Sequence, residues 1–172
     1  MTGADEVALA LKDMRVKYIF EYPGGATVFM LNAIKRLGYT NIITMRDERN
    51  AAFAASAYAK VKYNIGVCMA TSGPGATNLI TGIADAWCDS IPMLAITGQV
   101  PTHQTDPKET RQVGFQYINI AGIARPITKE IFEINNAQDI YELLWMGYHE
   151  AHRDRKGPVL VDIPIDIQRN TL

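Results

Sequence analysis

Apolar residues recur along this chain with two alternating periods, and the alternation sets the expected architecture. Thr2 stands ahead of Ala4, Val7, Ala8, Leu11 and Met14, which have the spacing of one helix face behind a capping hydroxyl. Residues 18–20 then read as a short buried strand, stopped by Tyr22-Pro23-Gly24-Gly25. A helix over roughly 27–37 ends at Gly38, and 41–45 form a second strand. An alanine-rich helix over 48–60 leads to a third strand at 65–70 and the turn Thr71-Ser72-Gly73-Pro74-Gly75. After a helix at 76–87 and a strand at 93–96, the period lapses between Pro101 and Val113. It returns with a strand near 127–134. The following helix carries Ile140, Leu143, Leu144, Gly147, Tyr148 and Ala151 on one face, and the last strand is 159–163.

Strands of near-continuous Val, Ile and Leu between helices predict a parallel sheet covered on both faces. The expected fold is a three-layer α/β/α sandwich with about six strands. In such sheets ligands bind beyond the carboxyl ends of the strands. Here those ends are YPGG, RDE, TSGPG and TGQVP. A length of 172 residues with 48% apolar and 20% charged residues fits one domain over 1–172. Seventeen basic against eighteen acidic residues argue against nucleic acid or an anionic membrane as partner. No apolar run approaches the ~20 residues of a membrane span, and Asp5 and Glu6 stand where a signal peptide carries positive charge. Cys68 and Cys88 lie among apolar neighbours, which predicts buried free thiols in a reducing, cytoplasmic setting.

Two stretches carry candidate chemistry, each with an ordinary reading beside a functional one. Residues 71–78, TSGPGATN, match neither the dinucleotide fingerprint nor a P-loop. They form either a tight strand-to-helix turn or a place where missing Cβ atoms let a ligand ring approach the backbone. In the second case Thr71 and Asn78 offer hydrogen bonds. Arg46-Asp47-Glu48-Arg49 reads first as a solvated charge cluster. Against that, Glu48 faces a helix rich in alanine (Ala51, Ala52, Ala54, Ala55, Ala57, Ala59), small enough for close packing against another surface. A carboxyl shielded in this way is suited to carrying a proton. His103 lies in the irregular stretch. His149 and His152 read as side chains near a helix C-terminus in preference to a metal site.

In order, EYPGGA, RDERNAAFAASAYA, GVCMATSGPGATNLITGIADAWCDSIPMLAITGQVP, GFQYINIAGIARPITK and KGPVLVDIPIDIQ resemble the acetolactate synthase catalytic subunit over its N-terminal, pyrimidine-binding domain. The resemblance runs from Met1 to about Gln168. It implies the thiamine diphosphate-binding fold and thiamine diphosphate chemistry. Pyruvate would be decarboxylated and joined to a second 2-oxo acid, in branched-chain amino acid biosynthesis. By the same match Glu48 hydrogen-bonds N1′ of the aminopyrimidine, so that the cofactor's 4′-nitrogen removes the thiazolium C2 proton. Tyr22, Pro23, Gly24 and Gly25 form the loop by the reacting centre, and Thr71, Pro74 and Asn78 line the pyrimidine or its surroundings. Phe115 and Gln116 match the substrate pair, Gln116 on the catalytic side. The chain departs from the family at Asp47, commonly His, and at Tyr117, commonly an acid; the stretch from Gln99 to Phe115 is also a few residues longer than usual in the family.

The resemblance also implies parts not found here. The family holds the diphosphate and Mg²⁺ through a Gly-Asp-Gly motif in a separate domain, and this sequence has no Gly-Asp-Gly. Nor does it contain the middle domain that binds FAD. The expectation is therefore one pyrimidine-binding domain that needs a diphosphate-binding domain or chain, in a homo- or hetero-oligomer; the alternatives are a subunit of a related 2-oxo acid decarboxylase or carboligase, and a non-catalytic binding or assembly module with this fold.

Overall fold

The computed structural model describes residues 1–105 and 112–172. Six strands form one sheet: β1 (Tyr18–Glu21), β2 (Asn41–Thr44), β3 (Gly66–Ala70), β4 (Met93–Gln99), β5 (Glu130–Glu133) and β6 (Pro158–Pro164). All pairings are parallel, in the order β2-β1-β3-β4-β6-β5. The helices are α1 (Gly3–Asp13), α2 (Val28–Leu37), α3 (Glu48–Lys62), α4 (Pro74–Cys88), α5 (Ile120–Ala124), α6 (Ile140–His152) and α7 (Ile165–Arg169).

Local chemistry sets several boundaries. Thr2 and Asp5 form a capping box at the start of α1: the Asp5 N–H donates to Thr2 Oγ1 and the Thr2 N–H to Asp5 Oδ2, at 3.4 and 2.8 Å. Gly38 closes α2 with φ +71°, a conformation open to glycine. Pro74 opens α4 two residues earlier than the apolar period predicts, because a first helical residue needs no N–H.

Strand residues alternate between two cores. Val67, Met69, Leu94, Ile96, Val159 and Val161 face α1, α2, α6 and α7. Cys68, Ala70, Met93, Ala95 and Leu160 face α3, α4 and α5. The layered α/β/α arrangement expected from the sequence is thus present, with both sheet faces covered.

The connections leaving the carboxyl ends make two crevices. β1 leads into α2 on one face while its neighbour β3 leads into α4 on the other. The same divergence recurs between β4, which continues toward α5, and β6, which continues into α7. Diverging connections leave room above the sheet edge, which is where ligands bind in open α/β sheets.

Four expectations change. Cys68 is buried but Cys88 is exposed, because the last residue of α4 lies off the face formed by Leu79, Ile83 and Ala86. Ala51, Ala52 and Ala55 are buried within the chain's own second core and Ala59 is buried too, so most of the small residues serve packing within the chain, chiefly against α4 and β3; Ala57 points outward. β5 starts only at Glu130, since Pro126 sits in a 3-10 turn, Arg125–Ile127. The short helices α5 and α7 have too few turns to show a period. Part of the irregular stretch, residues 106–111, lies outside the described residues. No helix among the described residues is long and apolar enough to cross a membrane.

Candidate functional site

The first crevice is built from the loops after β1, β2 and β3. β1 runs into Tyr22, Pro23, Gly24 and a 3-10 turn at Gly25–Thr27, in which Thr27 Oγ1 donates to the Gly24 carbonyl at 3.0 Å. The Ala26 N–H donates to Thr71 Oγ1 at 3.1 Å and ties this loop to the turn after β3. The two loops approach so closely that a Cβ on Gly24 would stand 2.5 Å from Thr71 Cγ2. On the far side, the Ala26 carbonyl accepts from Gln168 Nε2 at 2.8 Å.

The turn after β3 bends at Gly73, with φ +62°. A Cβ there would stand 2.5 Å from the Gln116 carbonyl oxygen, so the segment that follows residue 111 lies directly on this turn. Gln116 itself has φ +62°, a strained conformation for a residue with a side chain. Gly75 stands close beside Glu48. Its Cβ would meet Thr71 Cγ2 at 2.7 Å and Glu48 Oε1 at 3.0 Å.

Glu48 is the first residue of α3, where the helix dipole favours a negative charge. Asp47 caps the same helix by accepting from the Asn50 N–H at 2.9 Å, a bond that holds the Asp47 carboxyl below its ordinary range. Glu48 is 7% exposed. Asn78 Nδ2 donates to its Oε2 at 2.9 Å, across 30 positions of sequence. Oε1 accepts no hydrogen bond among the described residues and stands beside Gly75. Around this buried carboxyl the rim is open: Tyr22, Pro23, Gly25, Pro74, Asn78 and Gln116 are exposed, and Phe115 is 84% exposed.

The structure therefore brings Gly24, Glu48, Thr71, Asn78 and the Gln116 backbone together. Tyr22, Pro23, Gly25, Pro74 and Phe115 stand on the same loops, with their side chains or open faces toward solvent. A held carboxyl with one open oxygen beside a glycine suits a flat ring that presents a hydrogen-bond donor or a basic nitrogen. His149 and His152 are elsewhere, packed with Trp145 and Tyr148 near the end of α6.

Sequence reasoning passed over two buried carboxyls on the rim. Glu21 ends β1 with Oε1 accepting from Thr44 Oγ1 at 2.6 Å and Oε2 unpartnered among the described residues; burial raises its pKa. Asp162, in β6, accepts from Thr97 Oγ1 at 2.6 Å and from Gln99 Nε2 at 3.0 Å. Both were visible only as single acids in apolar strands, YIFE and VLVDIP. Asp162 lines a cavity of about 100 Å³ over the second crevice, with Gln99, Thr102, Tyr117, Glu133 and Asn135.

Burial pushes the Asp162 carboxyl up to about 6, against the Thr97 and Gln99 hydrogen bonds and with help from the Glu133 charge. Unfolded, the group titrates near ~3.9. Between those values the folded chain keeps a proton that the unfolded chain has released, so stability falls as pH rises through the window. The loss is on the order of 3 kcal/mol and is complete by about pH 7. Urea midpoints taken between about pH 4.5 and 7.5 should show this slope, and Asp162→Asn should flatten it. Equal slopes in the two proteins would remove Asp162 as its source.

Comparisons with known proteins agree with the resemblance. The chain is 42% identical to the acetolactate synthase large subunit of Corynebacterium glutamicum over 172 residues, all of this chain and 27% of that protein. It is 44% identical over 168 residues to a probable acetolactate synthase large subunit of Methanocaldococcus jannaschii, covering 98% of this chain and 27% of that one. Against the chloroplastic acetolactate synthase 1 of Oryza sativa subsp. japonica the identity is 44% over 170 residues, 97% of this chain and 25% of the relative. The chain thus spans about a quarter of the length of the curated relatives it matches. Residues 1–123 match the family described as thiamine pyrophosphate enzyme, N-terminal TPP binding domain. Glu48, Thr71, Gly75 and Asn78 all fall inside that match, and the chain belongs to this family of thiamine pyrophosphate (thiamine diphosphate) enzymes.

Proposed function

We propose that residues 1–172 are the pyrimidine-binding domain of a thiamine diphosphate-dependent, acetolactate synthase-like enzyme of the cytoplasm. The observation that carries this reading is the Glu48 carboxyl, fixed through Oε2 by Asn78 and open at Oε1 beside Gly75. A Cβ at residue 75 would fill the approach to that oxygen, so the glycine keeps a cradle free for the aminopyrimidine edge. When bound, the cofactor supplies the electron sink for decarboxylating one 2-oxo acid and joining the remaining carbon fragment to a second.

This chain's residues do the rest. Glu48 Oε1 would share a proton with a ring nitrogen of the bound cofactor, and positioned acid/base groups of this kind contribute about 10²–10⁴-fold. Asn78 fixes the carboxyl's orientation, and Thr71 braces the loop of Tyr22, Pro23, Gly24 and Gly25 against the turn that carries Pro74. Phe115 and Gln116 face the 2-oxo acid from the rim. The diphosphate and Mg²⁺, and FAD where the enzyme uses it, belong to other domains. Those domains belong to the same polypeptide or to a second chain, within a homo- or hetero-oligomer that covers the exposed rim.

Calorimetry with thiamine diphosphate and Mg²⁺ tests the division. No heat is expected from residues 1–172 alone, and saturable binding is expected once the diphosphate-binding part is present. Micromolar binding by residues 1–172 alone would overturn it. With pyruvate the assembled enzyme should release acetolactate; free acetaldehyde would instead place it among the 2-oxo acid decarboxylases.

A further inference from the structure

The segment carrying Gln116 is held at three points along the carboxyl edge of the sheet and its loops. Gly114 packs so closely on Gln104 and Val100 that a Cβ would lie 2.8 Å from Gln104 Oε1 and 3.1 Å from Val100 Cγ2. The Gln116 backbone rests on Gly73. Gln99 Nε2 donates to the Ile118 carbonyl at 3.1 Å.

Gln99 is 4% exposed and stands at the end of β4, beside the second crevice. Its amide has one orientation only. The Val100 N–H donates to Oε1 at 3.0 Å, so Nε2 must point toward Ile118 and toward Asp162 Oδ2, 3.0 Å away. Asp162 is fixed in turn by Thr97 Oγ1 at its other oxygen. A buried chain of hydrogen bonds therefore runs from β4 to β6 and back out to residue 118. Its length and direction leave little freedom at the strained backbone of Gln116, two residues earlier.

We infer that Gln99, oriented by Asp162, is the positioning residue that latches the Phe115–Gln116 segment over the candidate site. The inference rests on the proposed substrate role of Phe115 and Gln116. The second crevice thus acts on the first: polar groups above β4 and β6 set the position of a segment that touches the turn above β3. None of the hydrogen bonds of this network reaches Glu48 or Asn78, so cofactor and substrate should respond differently to its loss.

The test uses the complete enzyme with two substitutions. Gln99→Met keeps the size of the side chain and removes all three hydrogen bonds. Gln99→Glu keeps the bond from the Val100 N–H and removes both donations. Amide hydrogen exchange at residues 112–119 should rise roughly fivefold to tenfold in either variant, the scale of one lost hydrogen bond, with exchange in β3 unchanged. KM for the 2-oxo acid should rise by a similar factor while the affinity for thiamine diphosphate stays within about twofold. Unchanged exchange at 112–119, or an equal rise throughout β3, would overturn the latch. Raised exchange with an unchanged KM would uphold the latch and instead remove Phe115 and Gln116 from contact with substrate.

Discussion

Replacing Glu48 by glutamine in the assembled enzyme is expected to lower turnover about 10²–10⁴-fold, the range of a positioned acid/base group. The substitution is nearly isosteric. Glutamine keeps an oxygen that can accept from Asn78, and the first position of α3 tolerates it. What it removes is the ability of the side chain to take up and return a proton. The folded domain should therefore survive, with a denaturation midpoint close to that of the unaltered protein. Turnover measured at saturating thiamine diphosphate separates this effect from weaker binding. Activity within tenfold of the parent would remove the proton-carrying role and leave Glu48 as a hydrogen-bond acceptor alone.

A methyl group added at Gly98 should act on the same site from below. Gly98 is buried in β4, and a Cβ there would fall on the Ala26 carbonyl oxygen. That oxygen cannot retreat freely, because it accepts from Gln168 Nε2, which also donates to the Ile163 carbonyl at 2.8 Å. Gln168 is fully buried, so both acceptors hold it in place. Gly98→Ala must displace the loop at Ala26, weaken the Gln168 bond and disturb the Ala26–Thr71 contact. Overpacking and one strained hydrogen bond together should cost about 2–4 kcal/mol, read as a lower urea midpoint. The cofactor affinity of the complete enzyme should fall with it. A change below about 0.5 kcal/mol would mean that the Ala26 loop yields without resistance.

Both substitutions address residues whose neighbours are distant in sequence, and this marks what could be read before the fold was known. The apolar runs at β3, β4 and β6 announce a parallel sheet, because only strands buried on both faces dispense with polar alternation. The capping residue Thr2 and the stop at Gly38 act within a few positions and were equally legible, whereas Asp47 read as part of a charge cluster and shows as the cap of α3 only in the structure. Strand order is a different kind of information. Whether β6 enters between β4 and β5 depends on contacts that no local period encodes, and the second crevice is a product of that order.

The candidate site divides along the same line. Residues 71–78 and Glu48 stood out by composition, yet the bond from Asn78 to Glu48 joins two helices and appears only when they pack. The alanines after Glu48 were open to two readings, and packing decided most of them in favour of the chain's own core. Cys88 failed because apolar neighbours in sequence are not neighbours in space at a helix end.

The Asn78 amide has one more consequence. The two oxygens of a carboxylate are chemically identical, so a proton reaching an unrestrained one has two equivalent addresses. Asn78 ends that symmetry by occupying Oε2, much as a hydrogen bond to one nitrogen of an imidazole selects its tautomer. A side chain with two interchangeable ends becomes a directed one, with its single vacant end turned toward Gly75.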